Sequence, residues 1–226
     1  MSMITRERDV TLTGRAGRWL AVLPRSSLPL PWRIVIALIV VLLVIPVGMI
    51  AAGSGLGLVP LPYEMFLLAG RMPLIFKIHM VTGAIVLLLA PAVVAARNDR
   101  RTHRMLGRVL GAFVVMAGLS AFPVAIISSS SLAARAGFFV QGLVWLTLFA
   151  AAIAAIRNGK RWQHIRLMLA MVAVTSGAVW FRVLTGSAIL LDLPFAQTYA
   201  IAAWAGWMLP LALVLSIDAI PRAFSR

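Results

Sequence analysis

The chain contains no cysteine. It can therefore form no disulfide, thiolate nucleophile, iron–sulfur cluster or Cys-ligated zinc site. The same lack leaves its redox compartment unread. Acid is scarce too: six Asp and Glu stand against 21 Lys and Arg. They are Glu7, Asp9, Glu64, Asp99, Asp192 and Asp218, and none falls in the middle of a long apolar run. That excludes a carboxylate relay for proton pumping and paired carboxylates for hydrolysis. No HExxH helix supplies an intramembrane zinc site, and no motif supports a Ser–His–acid set. The three histidines, His79, His103 and His164, are the side chains that titrate near neutrality.

What is present is apolar. Hydrophobic residues make up 62% of the chain, charged residues 12%, and the mean hydropathy is +1.00. A soluble domain is about half apolar and a quarter charged, so this composition reads as a polytopic membrane protein. The net charge of +15 does not point to nucleic acid. The Arg and Lys cluster between the apolar runs, where they set topology and meet anionic lipid.

The pattern predicts an all-α integral membrane bundle of six spans, at about 32–52, 74–96, 105–128, 136–156, 165–191 and 197–217, each long enough to cross. Spans two to five form the expected core. Residues 1–31 read as a basic arm without a signal-peptide core, and 218–226 as a tail. Gly14–Leu23 is either a short interfacial helix or part of a loose arm. Pro46 and Pro210 predict kinks, and Tyr63–Ala69 a short interfacial turn. Gly107, Gly111 and Gly118 space out a helix-packing face. Gln141 needs a partner and should face the bundle. Trp19, Trp32, Trp162, Trp204 and Trp207 read mostly as interface anchors. The arm, 97–104, 157–166 and the tail are all basic and all fall on one side. The expected orientation is therefore N-in and C-in.

Arg157–Arg182 holds the most concentrated chemistry. Arg157, Lys160, Arg161, His164 and Arg166 open an apolar run that closes on a lone Arg182. A straight helix would put His164 and Arg182 five turns apart on one face, about 27 Å from end to end. A charge inside a span is costly and is a functional candidate. His79 lies in the same expected outer leaflet, with Gly83 one turn on.

The two inner loops look alike. Arg97-Asn98-Asp99-Arg100-Arg101 precedes His103-Arg104, and Arg157-Asn158-Gly159-Lys160-Arg161 precedes His164-Ile165-Arg166. A parallel duplication would produce this, as would the convergence of short basic loops. His79 with Gly83, His103-Arg104-x-x-Gly107-Arg108, His164-x-Arg166-x-Met168, and Arg182 together resemble the bacterial family named domain of unknown function 2306. The likeness covers about 77–184. It departs at Val109–Leu110, where a tyrosine is expected, and in lacking a tryptophan just before Met168. The resemblance implies a multi-pass protein of a bacterial inner membrane and no particular activity.

Three readings of the polar residues follow. In the first, His103 and His164 clamp a b-type haem for electron transfer, with His79 as a further candidate ligand and Arg104, Arg108 and Arg166 on the propionates. A quinone or redox partner would go with it. In the second, His79 and Arg182 bind a small anionic, quinone or lipid-like ligand in the outer leaflet, for carriage or binding. In the third, the histidines and arginines meet lipid phosphates and backbone carbonyls.

Overall fold

The computed structural model describes residues 30–61 and 63–223. Gly14–Leu23 and nearly all of the basic arm lie outside them, as do the last residues of the tail. The described residues form two units, meeting at Ile39 and Val40. In the first, Leu30–Ile39 is helix α1, whose described side chains are mostly exposed aliphatics. The second unit holds α2 (Ile45–Leu56), α3 (Tyr63–Arg71), α4 (Pro73–Ala95), α5 (Arg100–Ile127), α6 (Leu132–Arg157), α7 (Arg161–Thr175), α8 (Gly177–Leu190) and α9 (Phe195–Ala223). No strand occurs among the described residues.

Six helical stretches are long and apolar enough to cross a membrane: Ile34–Leu56, Pro73–Asn98, Arg100–Ile127, Leu132–Arg157, Arg161–Leu190 and Phe195–Ser216. The molecule is an all-α membrane bundle. The first stretch meets its proline with a π-helical turn, Val40–Val44, placed just before Pro46. A proline removes the amide that the carbonyl four residues earlier needs, and a wider turn re-registers the ladder around it.

Consecutive spans pack as antiparallel neighbours: α2 on α4, α4 on α5, α5 on α6 and α6 on α7, while α9 covers α6, α7 and α8. The main core joins Val86, Ala90 and Val93 of α4 to Leu110 and Val114 of α5 and Met171 of α7. Gly111 and Gly118 do not bring two backbones together. An added Cβ would meet Phe149 Cζ at 2.8 Å or Leu146 Cδ2 at 2.5 Å, so they receive side chains of α6. Gly107 meets nothing within 4 Å.

Close backbone approach occurs instead where α9 crosses its neighbours. A Cβ on Gly206 would lie 3.1 Å from Phe181 N, and one on Gly137 2.9 Å from Ala203 O. Gly177 faces the Cβ of Trp207 at 2.8 Å. That contact makes Trp207 a core residue, 5% exposed, and corrects the expectation of an interface anchor. A glycine opposite gives the indole room inside.

The fifth span is not one straight helix. It breaks at Ser176, between α7 and α8. Val179 N turns to Ser176 O at 2.9 Å instead of continuing the four-residue ladder. The carbonyls around the break find other donors: Ala173 O takes Ser176 Oγ at 2.7 Å, and Val174 O takes Gln141 Nε2 at 3.2 Å. Trp145 Nε1 donates to Thr175 Oγ1 at 2.8 Å. Buried polar groups need partners, and α6 supplies them here. Gln141 does face the bundle, and its partner is the break. The break at Ser176 lies between His164 and Arg182.

Candidate functional site

The loops that carry the basic residues close two similar hairpins. In the first, Asp99 caps α5. Its Oδ1 accepts from Arg101 N at 2.9 Å and Thr102 N at 3.3 Å, and its Oδ2 from the Thr102 hydroxyl. The Thr102 hydroxyl, then the two amides, hold the Asp99 carboxyl below the usual carboxylate range. His103 Nδ1 lies 3.0 Å from Val93 O across the hairpin. In the second, His164 Nδ1 lies 2.9 Å from Ala152 O. A carbonyl can only accept, so in both rings Nδ1 is the donor.

The likeness extends up the bundle. His79 Nδ1 donates from α4 to Ala117 O of α5 at 3.1 Å. About sixty residues on, Gln141 donates from α6 to Val174 O of α7. Each ascending helix is thus tied back to its partner by one histidine; the descending helix α4 is tied to α5 by His79, and α6 to α7 by Gln141 together with Trp145. A glutamine fills the role for which the second hairpin has no histidine.

For His103 and His164 this geometry gives no support to a haem clamp. Each ring is fastened to a carbonyl of its own hairpin. Between the hairpins, Val93, Leu110 and Met171, with Met168 beside them, are packed into the apolar core. Among the described residues no three His, Cys, Asp or Glu stand close enough to hold a metal. Arg104 and Arg108 are exposed, and Arg166 is half-buried.

His79 and Arg182 lie within electrostatic range of each other. His79 lies six residues into α4, about 9 Å from the arginine-poor end, and Arg182 eight residues from the end of α8, about 12 Å. The charge of Arg182 reaches the His79 ring, and Tyr199 of α9 lies within electrostatic range of Arg182. Arg182 Nη1 donates to Ala178 O of its own turn at 2.7 Å. That is its one hydrogen bond to the described residues, and no described carboxylate pairs with it. Tyr199 packs edge-on to Phe181, with ring centres 4.9 Å apart, and to Phe138 at 6.0 Å. Gly83, one turn from His79, and Gly186, one turn from Arg182, both face open space, with nothing within 4 Å of an added Cβ.

The other arginines at this end are occupied. Arg135 donates to Ala125 O and Ile126 O, and Arg71 to Ile127 O at 3.4 Å. Between them they cap the last carbonyls of α5, as cations do at helix C-termini.

A family model described as predicted membrane protein, domain of unknown function 2306, matches residues 76–216. The chain belongs to this family. No curated protein and no solved structure matches it. The matched DUF2306 region covers four of the six spans in full and the second from its fourth residue, with both hairpin clasps, His79, Arg182 and Tyr199. The first span and helix α3 precede it.

Sequence reasoning missed Tyr199 as a companion of Arg182. The available signal was an aromatic hydroxyl four residues into a span whose start also carries Phe195. It also missed Asp99 as a cap, although Asp followed directly by a helix is a start signal.

Proposed function

We propose that this DUF2306 protein binds or carries a small membrane-embedded ligand with an anionic or carbonyl-bearing head, such as a quinone or a lipid carboxylate or phosphate. The head sits at Arg182 and His79. With the basic loops read as cytoplasmic by the positive-inside rule, the proposed site belongs to the outer half of a bacterial cytoplasmic membrane.

One observation carries the reading: Arg182 is a guanidinium in a span with a single hydrogen bond among the described residues, to its own helical turn. A guanidinium has five donors and prefers a planar acceptor with two oxygens. Arg71 and Arg135 show how this fold treats an arginine that only stabilises, by turning it onto the orphan carbonyls of a helix end. Arg182 is not used in that way. The open faces at Gly83 and Gly186 provide room beside both polar groups, and Phe138, Phe181 and Tyr199 provide flat apolar surface nearby.

The test is a comparison of what co-purifies. Wild type, Arg182→Gln and Gly83→Leu are isolated in mild detergent from the same membranes, and bound small molecules are identified by mass spectrometry. Gly83→Leu fills the open face and leaves both polar groups in the sequence. A species held by wild type and lost in both folded variants supports the proposal. The same bound species at the same occupancy in all three proteins refutes it.

A further inference from the structure

A groove of about 570 Å³ runs along the bundle surface between α5 and α6, away from the Arg182 site. Val115 and Leu119 form one wall, and Leu146, Phe149 and Ile153 the other. Its floor is widened by Ala150 and Ala154, and it ends at Arg157 and Asn158. Leu146, Ala150, Ile153 and Arg157 follow a four–three–four spacing, which makes one stripe along α6, and Ala154 lies one turn on from Ala150 beside it. From Leu146 to Arg157 is eleven residues, about 16 Å, close to half the roughly 30 Å hydrocarbon thickness. The groove is therefore one leaflet deep and has an apolar bed and a cation at its surface end.

Arg157 is exposed, and its guanidinium has no hydrogen bond or ion pair to any described residue. Lys160 and Arg161 follow it in the same loop, which contains no acid. Charge and length together select an occupant. We infer that the α5–α6 groove is a binding site for an anionic phospholipid from the leaflet at the basic end, with one acyl chain along the groove and the phosphate on Arg157. The zwitterionic phospholipids of the same leaflet offer the same chain but no net charge to this loop.

The experiment reconstitutes the full chain in nanodiscs containing phosphatidylglycerol and phosphatidylcholine in equal amounts. The lipid retained on the protein after detergent extraction is then quantified by native mass spectrometry. Wild type is expected to retain phosphatidylglycerol preferentially. Arg157→Gln is expected to lower that preference about fivefold, the factor one juxtamembrane cation supplies. Ala154→Trp and Ala150→Phe fill the groove from exposed positions and are expected to abolish retention. Either one, if monodisperse, suffices. Arg100→Gln removes an exposed cation from the other loop and is expected to change little. Equal retention of the two lipids by wild type overturns the inference. So does an equal loss in Arg100→Gln and Arg157→Gln, which would mean diffuse surface charge, or full retention in a folded groove-filled variant.

Discussion

Replacing Arg182 by leucine asks whether its charge is kept for stability or for a ligand. A guanidinium at the centre of a membrane helix costs about 2.5–3.5 kcal/mol on insertion scales, and less toward the surface. At about 12 Å from the end of α8, a cost of roughly 2 kcal/mol is reasonable. Against it stands the bond to Ala178 O, and charged hydrogen bonds contribute about 1.5–3 kcal/mol. The two nearly cancel, and leucine adds apolar contact worth about 1 kcal/mol. Stripped of lipid and ligand, Arg182→Leu is expected to be between unchanged and about 2 kcal/mol more stable than wild type. With ligand at a hundred times its dissociation constant, wild type gains about 2.7 kcal/mol that the variant does not, and the order reverses. The assay is unfolding followed by tryptophan fluorescence, in native-lipid nanodiscs and again after delipidation. A loss of more than about 2 kcal/mol in both samples, without reversal, would mean that Arg182 is a structural member and would refute the argument.

Other substitutions separate the remaining claims. Gly206→Val pushes a side chain onto the Phe181 amide, 3.1 Å from its Cβ position. It is expected to cost about 2–3 kcal/mol or prevent folding, whereas Gly83→Ala, with open space, is expected to be neutral or slightly stabilising in the same unfolding assay. Asp99 has a carboxyl pKa depressed in the folded state by Thr102 and the Arg101 amide. Its contribution is present above the unfolded-state pKa and lost as pH falls through the lower folded value. Wild type should therefore exceed Asp99→Ala in stability at neutral pH and converge with it in strong acid, as read from melting temperatures against pH. Purified protein from haem-replete cells is expected to show no Soret band. A band that disappears in both His103→Ala and His164→Ala would support the clamp and refute this expectation.

Much of the fold could be read from residue pattern because lipid imposes simple rules. Length and hydropathy mark the six spans, and Gln141 had to find a partner inside. The pairing of His79 with Arg182 in one half of the bundle also followed from span order, although Tyr199 did not. The break at Ser176 was not legible. Thr175, Ser176 and Gly177 all occur in continuous membrane helices, and the interruption depends on Gln141, Trp145 and Trp207 arriving from other spans. The glycine step at 107–111–118 has the right spacing for backbone packing, but spacing does not say which side chains arrive opposite. Arg71 and Arg135 posed the same difficulty: a cation near a span's end has one sequence signature whether it meets lipid or carbonyls.

The two histidine clasps bear on how the chain is made. Val93 and His103 are ten residues apart, Ala152 and His164 twelve. Each bond closes a short loop, which costs little chain entropy, and needs nothing from any later span. A ribosome feeding this chain into a membrane could therefore release one latched helical pair, α4 with α5, before α6 exists, and then a second latched pair. The late steps would be the docking of α9 and the tying of the Ser176 break to α6. Such a chain assembles from prefabricated hairpins, and a translational pause after the first pair would leave no open backbone polar group waiting for a distant partner.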